Sequence, residues 1–196
     1  MDGGFVAHIV SAYGDFRASM RQAMARNTGE ENLLALVAFG SFVVFLSFLP
    51  TLFATDLRDN PEQSLAGGVI MWFFVVMFFL PLVLYGIAAL SHFISKRFGA
   101  EGPYFKARQA LFWALAVLSP VLIVKALLAS VVHQIGGAAA PVLAGMLNLW
   151  LLVMIIWIWA SMLAEAEGFD STFRVALGII VALSTIYALL FGISLL

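Results

Sequence analysis

Long apolar runs alternate with short polar segments over most of this chain. Each run is long enough to cross a bilayer as a helix, because about 20 apolar residues span the hydrocarbon core. A helix also satisfies its own backbone hydrogen bonds, which a segment in lipid requires. The pattern therefore predicts five membrane-spanning helices, at about 32–54, 66–92, 109–132, 141–163 and 175–196.

Residues 1–27 have a different pattern and are not expected to form a span. Four charged residues lie between Asp15 and Arg26, and the apolar residues recur at helical spacing. The segment is expected to be an amphipathic helix that lies in the membrane interface or, equally, packs on the protein's own cytoplasmic face. In the first case, the residues expected to contact the membrane surface are Phe5, Ile9, Tyr13, Phe16, Arg17, Met20 and Arg21.

Residues 28–196 are predicted to form one transmembrane domain after this helix. Thr28 and Glu31 match a capping box, in which each side chain bonds the other's backbone N–H, and they indicate the start of the first span. Pro81 lies inside the second span, where its missing N–H predicts a kink. Both a packing role and a hinge are open explanations for that kink.

Composition narrows the class of protein. Hydrophobic residues make up 63 % of the chain and charged residues 11 %, whereas soluble domains have about 45–50 % and about 25 %. The net charge of −1 gives no basic footprint for nucleic acid. The predicted fold class is an all-α integral membrane protein, a bundle of five transmembrane helices preceded by an amphipathic interfacial helix.

The distribution of Lys and Arg predicts the orientation in the membrane. Four of the ten basic residues lie between the second and third spans, at Lys96, Arg97, Lys106 and Arg108. Three more lie in the amino-terminal segment and one follows the fourth span, whereas the opposite side has Arg58. Because basic loops stay in the cytoplasm during insertion, we expect a cytoplasmic amino terminus and a carboxyl terminus outside.

The sequence has no recognisable catalytic motif. It lacks the H-E-x-x-H, P-loop and G-x-S-x-G patterns, and it has no cysteine. His8, His92 and His133 lie in different segments, and the carboxylates lie outside the predicted spans, so neither a metal site nor an ion relay is expected. We therefore expect no enzymatic activity and no cofactor.

Two polar residues inside the predicted spans are candidates for a function. Lys125 is formally charged and lies far inside the third span. Its ammonium group either snorkels to the outer interface or faces a cavity in the bundle. Asn148 in the fourth span is typical of a hydrogen bond between helices. Small residues at helical spacing in the last two spans also favour close helix contacts.

Two stretches of the chain resemble the YIP family, membrane proteins named for interaction with Rab GTPases in eukaryotes. The first is FGAEGPYF at 98–105, followed by basic residues and the Ser-Pro pair at 119–120, and the second is 159–176, which contains GFDS. The resemblance covers about residues 30–196 and implies a five-span bundle with a cytoplasmic amino terminus. The chain lacks the long amino-terminal region and the Asp-Leu-Tyr-Gly-Pro motif of eukaryotic members. This difference favours a bacterial branch in the inner membrane and does not carry Rab binding over.

These features predict a non-enzymatic multi-pass membrane protein that scaffolds or assists a membrane assembly, or that organises the membrane. The alternative function is a transporter or channel for a small solute or lipid that uses Lys125. The expected partners are the bilayer, with its anionic headgroups, and either a membrane protein or a second copy of this chain.

Overall fold

The computed structural model describes residues 4–26, 29–59 and 65–194. Throughout these ranges the regular structure is helical. The bounds are α1 Phe5–Ala12, α2 Phe16–Ala25, α3 Glu30–Asp59, α4 Leu65–Phe74, a π-helical segment Val75–Phe79, α5 Leu80–Arg97, α6 Tyr104–Ile135, α7 Ala140–Glu167 and α8 Thr172–Ser194. The predicted capping box falls partly on Thr28, which lies outside the described residues.

Within the described ranges, five helical units are long and apolar enough to cross a membrane. They are α3, the continuous unit from α4 to α5, α6, α7 and α8, and they confirm the predicted all-α bundle of five candidate spans. The chain reverses direction between successive units. The start of α3, the end of α5, the start of α6 and the end of α7 therefore meet at one end of the bundle, which we call the basic end.

The helices extend beyond the predicted spans. α5 continues to Arg97 and α6 begins at Tyr104, so the predicted basic loop is reduced to a connection over residues 98–103. α6 has 32 residues and is therefore about 48 Å long. That length exceeds the hydrocarbon thickness of about 30 Å, so part of α6 projects beyond the hydrocarbon.

The second unit contains a π-helical segment, Val75–Phe79, just before Pro81. Pro81 lacks an N–H, so the carbonyl one turn earlier loses its usual donor and the helix must adjust at this point. Exposed aromatic rings lie on the outside of the unit at this segment. Those of Phe74 and Phe78 stack with centroids 5.7 Å apart.

α6 lies at the centre of the bundle. One of its faces packs on α7, another on α3 and α5, and its buried residues include Phe112, Trp113 and Val117. Trp159 of α7 packs against each of the three buried clusters of the described residues. α8 packs on α7 through Ala176 and its neighbours, and most of its described residues are exposed.

The structure divides the predicted amphipathic helix into two. α1 ends at Ala12 and α2 begins at Phe16, because Asp15 accepts a hydrogen bond from the backbone N–H of Ala18 and caps α2. Ile9 and Met20 are buried against the bundle. These two residues were expected at the membrane surface if the segment lies in the interface; the protein covers them instead, as expected for the other alternative, packing on the protein's own cytoplasmic face.

Candidate functional site

Two helices end side by side at the basic end, and each ends in a left-handed glycine. After α5, Gly99 has φ 85°, and the N–H of Ala100 donates to the carbonyl of Ser95 at 3.1 Å. After α7, Gly168 has φ 79°, and the N–H of Phe169 donates to the carbonyl of Ala164 at 2.8 Å. This hydrogen-bond pattern turns the chain sharply out of each helix.

These two helix ends are joined by what we call the α5–α7 junction, formed by His92, Glu101, Gly102 and Glu167. The N–H of Glu101 donates to the carbonyl of Glu167 at 3.1 Å. His92 Nδ1 lies 2.7 Å from Oε1 of Glu167. The Glu167 side chain is fully buried, and its Oε2 has no hydrogen-bond partner among the described residues.

Gly102 allows the connection to lie directly on α7. A β-carbon at this position would overlap the carbonyl oxygen of Ala166 and would lie 3.0 Å from both Cα and Oε2 of Glu167. The junction therefore depends on a residue without a side chain at this point.

The amino-terminal helices are fastened to α7 by what we call the arginine clamp: Arg17, Arg21 and Glu165 with two backbone carbonyls. Arg17 Nε donates to Oε2 of Glu165 at 2.8 Å. Its two terminal nitrogens donate to the carbonyls of Phe169 and Asp170, each at 2.8 Å. Arg21 contacts the other Glu165 oxygen at 3.1 Å. Both arginines are among the residues expected at the membrane surface, and in the structure they pair with Glu165.

Three polar side chains fasten the same helices to α6. The hydroxyl of Tyr13 donates to the carbonyl of Val117 at 2.6 Å. The indole N–H of Trp113 donates to Oγ of Ser19 at 2.9 Å, and Gln109 Nε2 donates to the carbonyl of Ala23 at 2.9 Å. α1 and α2 are therefore part of the folded body of the protein.

Two titratable groups of this amino-terminal segment are shifted by their surroundings. Burial raises the pKa of the Tyr13 phenol above its ordinary value of 10.0. The hydrogen bond from the backbone N–H of Ala18 lowers the pKa of Asp15 below 3.8. The Asp15 cap is therefore fully effective above the ordinary pKa of an aspartate and weakens as the pH falls through the lowered value.

Arg108 holds the starts of α3 and α6 together. Its two terminal nitrogens contact the two carboxylate oxygens of Glu30, one of them at 3.0 Å. The guanidinium also lies over the rings of Tyr104, Phe105 and Tyr85, at 4.9, 5.5 and 5.8 Å from their centroids. Arg108, which the sequence places in the cytoplasmic basic loop, therefore lies in α6 and stabilises the bundle.

The other three basic residues of the predicted loop are not paired in this way. Lys96, Arg97 and Lys106 are exposed, and none takes part in an ion pair of the described chain. Phe98 beside them is 76 % exposed and Phe93 is 59 % exposed. The Arg97 guanidinium lies 5.2 Å from the centroid of the Phe93 ring. We call these five residues the basic–aromatic edge.

Residues 16–196 match the family of proteins that contain a Yip1 domain. The chain belongs to the Yip1 family. No curated protein and no solved structure matches it.

The two stretches that resemble the YIP family meet at the α5–α7 junction. These stretches, 98–105 and 159–176, lie far apart in the sequence, yet they are linked directly by Glu101 and Glu167. The motif glycines Gly99 and Gly168 supply the two left-handed turns, and Gly102 supplies the close approach. The motif residues therefore hold two helix ends together.

The predicted intramembrane candidates lie apart from this junction. Lys125 of α6 is half-buried and has no partner among the described residues. Asn148 of α7 is exposed on the surface of its helix. The histidines are also separate, since His8 contacts Arg26 and His92 contacts Glu167. Across the described ranges, no group of three or more metal-ligating side chains could hold an ion.

Proposed function

We propose that this Yip1-family protein is a non-enzymatic scaffold or accessory component of a membrane assembly. The observation that carries the proposal is the outer surface of α7 and α8. These two spans have the smallest buried share of the five, and their exposed faces include the polar side chains of Asn148 and Ser184.

Asn148 is the residue that argues for a partner in the membrane. Its carboxamide is exposed on a helix that is otherwise strongly apolar. Placing a primary amide in hydrocarbon without a hydrogen-bond partner costs on the order of several kcal/mol of free energy. A helix of another subunit that packs on this face and bonds the amide removes that cost.

The polar contacts at the basic end support a structural role as well. The carboxylates of Glu30, Glu165 and Glu167 are engaged with Arg108, Arg17 and His92. These groups hold helices together and so are not arranged around an open cleft. We propose that this end faces the cytoplasm, because unpaired Lys and Arg side chains gather there.

Replacing Asn148 with leucine tests the scaffold proposal. We expect the variant to fold normally and to lose about threefold in affinity for its partner helix, since hydrogen bonds between membrane helices contribute about 0.6 kcal/mol. The measurement is gentle extraction from native membranes, followed by native gels and mass spectrometry of the band.

Thr185→Val is the matched control for this experiment. The Thr185 hydroxyl already donates to the carbonyl of Val181 in its own helix at 2.8 Å, so its removal should leave the assembly unchanged. A wild-type protein that runs alone, with neither another protein nor a second copy, would refute the scaffold proposal.

Transport is the second candidate function, and Lys125 is the observation that favours it. A half-buried ammonium without a partner in the described structure is a feature expected of a site for an anionic group. Under the scaffold proposal, the Lys125→Leu variant still assembles with its partner and still complements a strain from which the gene has been deleted. Complementation that is lost with leucine but retained with arginine, while the assembly stays intact, would instead favour transport.

A further inference from the structure

The basic end carries two kinds of cation. Arg17, Arg21 and Arg108 are engaged by Glu165 and Glu30 and hold helices together. Lys96, Arg97 and Lys106 project from the basic–aromatic edge and have no acidic partner in the described part of the chain. The second group is therefore available to something outside this protein.

The local charge favours an anionic partner. From Phe93 to Lys106 there are three cations and one carboxylate, that of Glu101. The next cation, Arg108, is neutralised by Glu30. This edge therefore has a net positive charge although the chain as a whole does not.

The exposed aromatic rings favour a lipid partner over a soluble one. Phe98 has three quarters of its surface uncovered, and it lies directly after the last residue of a membrane-spanning helix. A phenyl ring at the end of a spanning helix is suited to the boundary between headgroups and acyl chains, where apolar rings beside Lys and Arg are stabilised. Arg97 over Phe93 presents its charge beside a second ring.

The edge is also rigidly positioned. The left-handed Gly99 ends α5 immediately after Phe98, and the contact between Glu101 and Glu167 fixes the following turn on α7. Lys106 lies in the first turn of α6, on the other side of the same connection. The three cations are therefore held around one short connection between two candidate membrane spans.

We propose that the basic–aromatic edge binds the phosphate groups of anionic phospholipids in the leaflet that surrounds it, with the Phe98 ring at the boundary between the headgroups and the acyl chains. This proposal is independent of the scaffold function. It moves the lipid-headgroup contact from Arg17 and Arg21, which pair internally, to Lys96, Arg97 and Lys106.

The test uses the full chain reconstituted in bilayers of equal amounts of phosphatidylcholine and phosphatidylglycerol. Native mass spectrometry then gives the ratio of the two lipids that remain bound. We expect wild type to retain phosphatidylglycerol preferentially. Each change among Lys96→Gln, Arg97→Gln and Lys106→Gln should lower that preference by about fivefold, the effect of one cation near an anionic surface, so that the triple variant retains no preference.

Charge-conserving variants separate charge from fold. Lys96→Arg with Lys106→Arg should keep the preference for phosphatidylglycerol, and Phe98→Ala should reduce retention of both lipids. Phe78→Ala is the control for the second change, because that ring is similarly exposed but lies within a span.

Two outcomes would overturn the proposal. The first is an unchanged preference in the triple glutamine variant, which would place the lipid contact elsewhere. The second is a wild type that binds inorganic phosphate or an acidic protein segment at this edge but shows no preference between the two lipids. A preference that falls as salt rises would support it, because salt screens exposed charges.

Discussion

Gly102→Ala should destabilise the protein more than any other single methyl group added at the basic end. The new β-carbon would overlap the carbonyl oxygen of Ala166 and press on Glu167. Both contacts involve the backbone of α7, so relief requires the connection to move away from that helix. We expect a loss of about 3 kcal/mol, the upper range for overpacking, measured as the drop in thermal midpoint of the detergent-solubilised protein.

Gly86→Ala is the matched control for this prediction. Gly86 lies within α5, and a β-carbon there meets nothing within 4 Å. Alanine is favoured over glycine inside a helix by up to about 1 kcal/mol, so this variant should be as stable as wild type or more so. Equal thermal midpoints for the two variants would mean that the connection does not pack on α7 as described.

The number of spans was predictable from sequence because lipid imposes a strong local constraint. Each span must be a long apolar helix that satisfies its own backbone, and this requirement is visible within a single window of sequence. The ends of the helices were less predictable. α5 continues through Lys96 and Arg97, since charged residues are compatible with a helix once it has left the hydrocarbon.

The separation of α1 from α2 is indicated in the sequence by local residues, although the apolar periodicity does not show it. Gly14 and Asp15 form a turn followed by an N-cap, which commonly separates two helices. The apolar residues on both sides share one arc of an ideal helix, so periodicity alone predicts one continuous helix. In the structure, the hydrogen bond from the backbone N–H of Ala18 to the Asp15 carboxylate caps α2 and so separates it from α1.

The pairings at the basic end could not be predicted from the sequence, because they join residues far apart in the chain. Arg17 and Glu165 are separated by 148 positions, and nothing in one sequence links them. Glu165 and Glu167 are two residues apart on α7 and so point to different sides of the helix. Which of the two would be buried depends on the packing of α5 and α2.

Arg17→Ala is expected to release the amino-terminal helices from α7. Arg17 supplies three of the hydrogen bonds of the arginine clamp, and its loss leaves Glu165, which is largely buried, with only Arg21. Hydrogen bonds to charged groups contribute about 1.5–3 kcal/mol each when they are protected from water, but the Arg17 side chain is 30 % exposed, and solvent screening brings the combined contribution of the three bonds towards the value of one protected bond. We therefore expect local opening of α1 and α2 to become easier by about 3 kcal/mol, measured as faster hydrogen exchange of their amides while α6 and α7 stay protected.

Arg21→Ala is the matched comparison for this prediction. Arg21 has the same charge and the same partner, but its side chain is 56 % exposed and makes one contact at 3.1 Å, so its loss should change opening by less than about 1 kcal/mol. The double variant Arg17→Ala with Glu165→Gln should open less readily than the sum of the single changes predicts, because the two side chains share one interaction. Additive effects would mean that Arg17 acts without Glu165.

Release of α1 and α2 from α7 would uncover Ile9 and Met20, and those apolar side chains would then be free to enter the membrane interface.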